Sequence, residues 1–232
     1  MNLTKVQVAR MIDISAVKAE STVEEVQTIV KAAKKHHFIC VFVLPSFTPV
    51  AKELLKGETE IFLGGAVGFP SGATTTTSKV FEAEELLEMG CNELDVVINI
   101  GKLKSRLYQD VITDIEKVVE VAGIIPVKVI LEVNLLTDAE IQDGAKIIRD
   151  SGAEFIKTGT GWTGATTFEH IRLIKKTVGD SIRLKAAGGV SNLDVLLKMY
   201  QMGVSRFGIG HKTAINIMNE FSKDTTFKAS GY

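Results

Sequence analysis

The sequence has little of what marks nucleic-acid-binding or membrane proteins. Lys and Arg total 27 against 28 Asp and Glu, so no basic excess favours nucleic acid or an anionic membrane. No apolar run approaches the roughly 20 residues of a membrane span, and the N-terminal residues lack the apolar segment of a signal peptide. We therefore expect a cytoplasmic protein that binds neither nucleic acid nor membrane.

Cysteine and histidine are also scarce, with two cysteines and four histidines in 232 residues. Cys40 and Cys91 lie in hydrophobic surroundings, outside the CxxC or Cys/His spacing of a metal site or redox pair. HxH and HExxH pairs are absent, although a barrel can assemble metal ligands from distant strands. We expect two reduced, buried cysteines and a site that uses neither a metal ion nor a cofactor.

Short β-branched or aliphatic runs recur along the whole chain. They lack polar/apolar alternation, as is typical of parallel strands covered on both faces. The eight runs are 8–14, 38–44, 60–68, 93–100, 127–133, 154–160, 182–189 and 205–210. Amphipathic segments with apolar positions at helical spacing lie between them, at 22–36, 78–90, 105–123, 137–152, 167–180 and 192–203. This order predicts repeated strand–loop–helix units.

The repeated units predict one α/β domain. No linker or change of composition divides residues 1–232, and strand spacing stays near the roughly 30 residues of a βαβ unit. Eight parallel strands can close a (β/α)8 TIM barrel or form an open doubly wound sheet. The count of eight and the lack of GxGxxG in the first unit favour the single-domain barrel. We expect a mobile C-terminal tail over residues 221–232.

Polar residues near the carboxyl ends of the predicted strands are the candidates for chemistry, because barrel active sites are built there. They are Asp13, Ser15, Asp95, Asn99, Lys128, Glu132, Lys157 and Lys185. A single lysine in a strand can simply extend its ammonium group to solvent. Acids and amines in several strands instead compensate each other's charge, and such groups cluster at functional sites.

Lys157 and Lys185 lie in neighbouring predicted strands. Mutual repulsion and desolvation both lower the pKa of at least one of two adjacent buried amines. A neutral lysine is a nucleophile that adds to a carbonyl and forms a Schiff base. Asp95 adds a carboxylate that can move protons during dehydration and carbon–carbon cleavage. The three residues together predict the chemistry of a metal-free Schiff-base aldolase.

Glycine clusters follow the seventh and eighth predicted strands, as "AAGGVSN" at 186–192 and "FGIGH" at 207–211. Barrel enzymes frequently hold a phosphate with backbone N–H groups at this position, although both clusters could serve tight turns alone. The predicted phosphate site comprises Gly188, Gly189, Ser191, Gly208, Gly210 and His211, with Lys212 as a further cation.

Six long segments resemble the deoxyribose-phosphate aldolase family, in the family's order and over essentially the whole chain. They are "VGFPSGATTTTSKVFEAEELLEMG", "ELDVVINIGKLKS", "VKVILEVNLLTDAEI", "EFIKTGTGW", "LKAAGGVSN" and "RFGIG". The family consists of class I aldolases on a (β/α)8 barrel. The resemblance implies reversible cleavage of 2-deoxy-D-ribose 5-phosphate to acetaldehyde and D-glyceraldehyde 3-phosphate, in deoxynucleoside breakdown.

The resemblance also implies a role for individual residues. Lys157 is the Schiff-base lysine, Lys185 lowers the pKa of Lys157, and Asp95 transfers protons. Lys128 and Asp13 are supporting charges in the pocket, and Tyr232 in the terminal "ASGY" is similar to a tail tyrosine that reaches the pocket in some members. Barrels of this family often form homodimers, so a homodimer is possible here.

The chain departs from the family pattern at the acceptor and phosphate end. Gly159 stands where members usually have serine, and Gly210 and His211 replace a Ser-Ser pair. Val190 and Ser191 lie where an arginine or similar polar residue is usual. "CVFVLP" replaces a "CVNP"-like stretch, which introduces Phe42 and Leu44. Two alternatives therefore stay open: a Schiff-base aldolase for another aldehyde or sugar phosphate, and a non-catalytic phosphate-binding or scaffold barrel.

Overall fold

The computed structural model describes residues 3–221, in which eight parallel strands close a barrel in chain order. The strands are β1 (Ile12–Ala16), β2 (Cys40–Val43), β3 (Phe62–Val67), β4 (Glu93–Val97), β5 (Val127–Ile130), β6 (Phe155–Lys157), β7 (Arg183–Ala187) and β8 (Val204–Gly210). β8 pairs with β1, Ile12 opposite Phe207, which closes the sheet. The predicted (β/α)8 barrel is confirmed, and the open sheet is excluded.

Ten α-helices of the described residues surround the barrel. They are α1 (Lys5–Ala9), α2 (Val23–His36), α3 (Thr48–Leu54), α4 (Thr76–Glu88), α5 (Ile100–Lys104), α6 (Tyr108–Ala122), α7 (Asp138–Asp150), α8 (Phe168–Val178), α9 (Leu193–Gln201) and α10 (His211–Glu220). Short 3₁₀ turns cover Pro45–Phe47 and Val133–Leu135. All six predicted helices are confirmed, whereas α1, α3, α5 and α10 were not predicted.

Several strand boundaries of the sequence prediction were wrong, including the start of the first strand and the end of the sixth. The first predicted strand began at Val8, but Val8 and Ala9 form the end of α1, and β1 begins at Ile12. A capping box made by Thr4 and Gln7 fixes α1 in this place. The sixth strand ends at Lys157 and not at Thr160, because the residues after Lys157 enter a loop over the barrel mouth.

Threonine caps begin several of the barrel helices. The Thr22 hydroxyl accepts from the N–H of Glu25, and Thr137 forms a capping box with Glu140. Thr167 forms the equivalent box with His170 at the start of α8. Each cap satisfies N–H groups that a helix start leaves without partners, so these helices begin at defined distances from their strands.

The main hydrophobic core lies between the strands and the helices. Leu94 and Val96 of β4 belong to it, whereas Glu93 and Asp95 alternate with them as buried charged residues. Because side chains alternate along a strand, the charged set points into the barrel. Cys40 and Cys91 are buried and unpaired by disulfide, as predicted. None of the helices within 3–221 has the length and apolarity needed to cross a membrane.

A buried lysine attaches the helical layer to the barrel beside β4. Lys79 of α4 donates to the carbonyl of Val97 at 2.8 Å and to Asp114 of α6 at 2.5 Å. A buried ammonium group needs such compensation. Burial lowers the pKa of Lys79 more than Asp114 raises it. This pair joins α4, α6 and β4 on the outside of the sheet.

Phe42 and Gly64 are register partners on β2 and β3. The Phe42 ring occupies the place of a side chain at position 64, because a Cβ built on Gly64 would lie 2.3 Å from the ring. Gly64 has no positive φ, so its requirement for glycine comes from this close approach and not from backbone conformation. The Phe42 ring can therefore occupy this position only because residue 64, on the neighbouring strand, is glycine.

We expect Gly64→Ala to lower the free energy of unfolding by about 1–3 kcal/mol, since the added methyl group overpacks the barrel against Phe42. Combining it with Phe42→Leu should recover part of the loss. Gly210→Ala is the matched control, because no atom lies within 4 Å of its added Cβ. Chemical denaturation measures all three variants, and an equal loss in Gly64→Ala and Gly210→Ala would contradict the prediction.

Candidate active site

A cavity of about 570 Å³ opens at the carboxyl ends of the strands. Asp13, Asp95, Lys157 and Lys185 line it, so the structure brings together four of the predicted site residues. Lys157 and Lys185 are register partners on β6 and β7. The cavity therefore places two amines and two carboxylates at the end of the barrel where the sequence predicted chemistry.

Six buried side chains form a closed circuit of ion pairs inside the barrel, which we call the charge ring. Positive and negative groups alternate around it in the order Asp13, Arg206, Glu93, Lys128, Asp95 and Lys185. The N–O distances around the ring are 2.5, 2.7, 2.6, 3.3, 2.6 and 2.6 Å. Every charge in the ring thus has two opposite neighbours, the arrangement that buried ions require.

Lys157 is a seventh buried charged group, and it is not a member of the charge ring. Its Nζ donates to Asp95 Oδ2 at 2.8 Å, the oxygen that also accepts from Lys185 at 2.6 Å. Within residues 3–221, Lys157 has one carboxylate partner, whereas Lys128 and Lys185 have two each. Four cations against three carboxylates leave one surplus positive charge. Loss of the Lys157 proton would remove that surplus.

The pKa values of the cluster follow this arrangement. Burial lowers the pKa of Lys157 most strongly, Asp95 opposes the change, Lys185 adds to it, and the result is about 8. Burial raises the pKa of Asp95, but Lys157, Lys185 and Lys128 outweigh it and hold that pKa far below its ordinary value. Burial lowers the pKa of Lys128, but its carboxylate neighbours outweigh this effect and raise it. Burial and its neighbours therefore favour the neutral form of Lys157 and the protonated form of Lys128.

An aromatic ring completes the surroundings of the amines. The centroid of Phe42 lies 4.1 Å from Nζ of Lys185, 5.1 Å from that of Lys128 and 5.8 Å from that of Lys157. The face of the ring attracts cations and excludes water at the same time. Phe42, read from the sequence as a departure at the acceptor end, lines the cavity directly beside the lysines.

The loop after β6 is attached to a buried glutamate. The N–H of Thr160 and the hydroxyl of Thr163 donate to Glu132 at 3.1 and 2.6 Å. Glu132 itself has a left-handed backbone, φ 59°, where β5 ends. A Cβ on Gly159 would lie 3.0 Å from Glu132 Oε1, so glycine at this departure leaves room for the carboxylate. The loop that follows Lys157 is therefore attached to a residue just after β5.

Five of the six residues predicted to bind phosphate lie around the mouth of the cavity. Gly188, Gly189, Gly208, Gly210 and His211 line the cavity. Ser191 is exposed and lies outside the cavity lining. Gly188 and Gly189 have positive φ angles of 81° and 80°, and a Cβ on either would lie within 2.8 Å of a backbone oxygen. This turn therefore requires glycine whether or not it binds a ligand.

Part of the C-terminal prediction lies outside the described residues. Phe221, the first residue of the predicted mobile tail, is buried against the core. Residues 222–232, including Tyr232, are not among the residues that the structure describes.

Four residues of the site and its surroundings were missed by sequence reasoning. Arg206 and Glu93 complete the charge ring. Phe69 and Trp162 line the cavity, with ring centroids 5.7 Å apart in an edge-to-face contact. Glu93 had a detectable signal, because it stands two residues before Asp95 and so shares its face of the strand. No spacing in the sequence indicated the other three.

Three residues at the lower part of the barrel have the donor atoms of a metal site. Asp13, Cys40 and Glu93 place ligand atoms within 4.8 Å of one another. Both carboxylates already bind Arg206, and Glu93 also binds Lys128. Burial raises the pKa of the Cys40 thiol well above its ordinary value, which disfavours the thiolate that a metal needs. The donors fit the ion-pair network better than a metal ion.

Comparison with known proteins agrees with this geometry. A model of the DeoC/LacD family of aldolases matches residues 7–214. The deoxyribose-phosphate aldolase of Sinorhizobium medicae is 45% identical over 213 residues, covering 91% of this chain and 86% of the relative. The deoxyribose-phosphate aldolase of Staphylococcus carnosus is 37% identical over 220 residues, covering 94% of this chain and 99% of the relative.

Solved structures show the same barrel. The tetrameric deoxyribose phosphate aldolase from Aeropyrum pernix superposes with a TM-score of 0.84 at 25% identity, covering 94% of this chain and 92% of that chain. An aldolase named QR15 superposes with a TM-score of 0.86 at 31% identity, covering 92% and 95%. The match extends over nearly the whole length of each protein. The chain belongs to the DeoC/LacD family of aldolases.

Proposed function

We propose that this aldolase catalyses the reversible cleavage of 2-deoxy-D-ribose 5-phosphate to acetaldehyde and D-glyceraldehyde 3-phosphate, with Lys157 as the Schiff-base nucleophile. The observation that carries the proposal is the surplus amine beside the balanced charge ring, whose pKa is lowered to about 8. The substrate is the one named for the family relatives with which the chain shares 37–45% identity.

The proposed reaction begins with the open-chain sugar. The neutral Lys157 amine adds to the C1 aldehyde, and water leaves to give a protonated imine. Loss of the proton from the C3 hydroxyl breaks the C2–C3 bond, and its electrons move to the imine nitrogen as an enamine. D-Glyceraldehyde 3-phosphate leaves. The enamine then takes a proton on carbon, and hydrolysis releases acetaldehyde and restores the amine.

Asp95 and Lys185 have separate parts in this scheme. Asp95, whose carboxylate is 2.8 Å from Lys157 Nζ, accepts and returns protons, with a bound water as relay. Lys185, on the same carboxylate oxygen, favours the neutral form of Lys157 through repulsion. Asp13 and Lys128 keep these two groups in place as members of the charge ring.

We propose that the phosphate group lies at the glycine-lined mouth. By this proposal, the backbone N–H groups of Gly188, Gly189 and Gly210 donate to the phosphate, with His211 and Lys212 as nearby side chains. Gly208 lines the same mouth but pairs with both β1 and β7. We do not include Ser191 among the proposed phosphate-binding residues, because it is outside the cavity lining.

Assembly and location are further proposals. A solved relative is tetrameric, which supports self-association of this chain, and we propose a homodimer as its smallest form. We also propose a cytoplasmic location, in keeping with a small sugar phosphate as substrate and with buried cysteines that form no disulfide.

Trapping with borohydride tests the nucleophile. We expect incubation with 2-deoxyribose 5-phosphate and borohydride to add a two-carbon unit to Lys157, because reduction converts the acetaldehyde imine to a stable amine. Peptide mass spectrometry locates the addition. Lys157→Met, which keeps the side-chain volume, should lose the adduct and at least about a thousandfold in kcat. Substantial turnover by Lys157→Met would contradict the proposal that Lys157 is the nucleophile.

The rate of imine formation should depend on pH through Lys157. Because only the neutral amine reacts, the rate with acetaldehyde should rise about tenfold per pH unit below the pKa and level off above pH 8 or so. Lys185→Met removes a cation that lowers this pKa, so its inflection should move to higher pH. Borohydride trapping across pH 5 to 10 measures both profiles, and coincident inflections would refute the role given to Lys185.

A further inference from the structure

We propose that Thr158 and Thr166 are positioning residues for the phosphate end of the substrate. By this proposal, their two hydroxyl groups hold the Gly188–Gly189 turn at the distance from Lys157 that the substrate requires. The inference rests on the proposed function, because it concerns the turn to which we assign the phosphate group. We call the two side chains the threonine pair.

The threonine pair is buried behind the wall of the cavity. Thr158 is fully buried, and Thr166 keeps 4% of its surface exposed. Ala187, Gly188 and Gly189 line the cavity, whereas Thr158 and Thr166 lie outside its lining. The two hydroxyl groups therefore act on a bound substrate only through the residues that they hold in place.

Hydrogen bonds join the threonine pair to both polar groups of the Ala187 backbone. The N–H of Ala187 donates to Thr158 Oγ1 at 3.0 Å, the two hydroxyl oxygens lie 2.6 Å apart, and Thr166 Oγ1 donates to the carbonyl of Ala187 at 2.9 Å. Thr158 Oγ1 is farther from this carbonyl, at 3.3 Å. Each hydroxyl group has one proton, and the shorter contacts use both, from Thr158 to Thr166 and from Thr166 to Ala187. The polar groups thus form a closed cycle in which every donor has an acceptor.

This cycle connects the strand that carries Lys157 to the start of the turn. Thr158 directly follows Lys157 at the end of β6, and its N–H donates to the carbonyl of Lys185 at 3.0 Å. Ala187 ends β7 and directly precedes Gly188. One side of the cycle is therefore next to the proposed nucleophile in the chain, and the other side is next to the turn.

Thr166 also lies against the turn through its backbone. Its N–H donates to the carbonyl of Gly188 at 3.3 Å. A Cβ built on Gly189 would lie 2.7 Å from the carbonyl oxygen of Thr166, and one built on Gly188 would lie 2.8 Å from that of Gly164. The turn and the segment 164–166 thus leave no room for a side chain between them. Because this packing is so close, a shift of Thr166 shifts the turn as well.

The loop between the two threonines is attached at a second place. Glu132 accepts hydrogen bonds from the N–H of Thr160 and the hydroxyl of Thr163, so its carboxylate holds the middle of the loop. The threonine pair closes the base of the same loop. Removing a hydroxyl group at the base should therefore displace the turn without releasing the loop from Glu132.

The test compares a reaction that uses the turn with one that does not. Cleavage of 2-deoxyribose 5-phosphate uses it, whereas acetaldehyde has no phosphate and needs only Lys157 to form an imine. Thr166→Val removes one hydroxyl group and keeps the branched shape of the side chain. We expect it to raise the KM for 2-deoxyribose 5-phosphate about tenfold and to change the rate constant of imine formation by less than about twofold, since displaced N–H donors weaken phosphate binding alone. Neither quantity depends on the fraction of folded enzyme.

Two further variants separate the hydroxyl group from a general effect of substitution. Thr166→Ser keeps the hydroxyl group and should raise the KM much less than Thr166→Val. Thr177→Val is the matched control, because the Thr177 hydroxyl donates to the carbonyl of Leu173 at 2.8 Å within α8, outside the cavity lining. Its KM should equal that of the unmodified enzyme.

The two hydroxyl groups should also act as one unit. Thr158→Val breaks the same cycle as Thr166→Val, so the double variant should raise the KM little more than either single variant does. Effects of independent groups would multiply instead, and a multiplied effect would show that the cycle is not what holds the turn.

Steady-state cleavage and borohydride trapping of acetaldehyde measure all of these variants. An unchanged KM in Thr166→Val, an equal rise in Thr166→Ser, or a loss of imine formation as large as the rise in KM overturns the inference. The unmodified enzyme separates the two proposals. No cleavage of 2-deoxyribose 5-phosphate by it overturns both, whereas cleavage together with an unchanged KM in Thr166→Val overturns the role of the threonine pair alone.

Discussion

Charge compensation inside the barrel is the constraint on which the site depends. Desolvated ions are tolerated when opposite charges surround them, and the ring from Asp13 to Lys185 meets this condition with three cations and three carboxylates. The barrel therefore holds a network of buried charge that is complete without Lys157. Lys157 adds one amine to this balanced network, and burial, together with repulsion from Lys185, lowers the pKa of that amine to about 8.

The sequence predicted the parts of this arrangement that follow from the position of a residue in its own strand. Lys157, Lys185 and Asp95 stand near the carboxyl ends of apolar runs, and the rule that barrel sites form there was enough to select them. The fold class followed from the count and spacing of the runs. Short helices such as α1 and α5 escaped prediction because five residues carry too little periodicity to identify a helix.

What the sequence could not predict depends on contacts between distant segments. Arg206 binds Asp13 across 193 residues, and its role follows from the closure of β8 on β1. Trp162 reaches the carbonyl of Val17 across 145 residues. The glycine required at position 64 reflects the ring of Phe42 on another strand. Each of these is a property of the closed barrel, for which a local pattern has no signal.

The closure of β8 on β1 also has a consequence for the nascent chain. The seven charged side chains come from six strands, the first of which is β1 and the last β8. Before the last strand docks, these groups are in water, where a lysine amine is protonated at neutral pH. In a partly folded chain, Lys157 therefore lacks the burial that lowers its pKa in the closed barrel, and only a small fraction of this amine is neutral. The larger neutral fraction arises only when the strands have enclosed the amine.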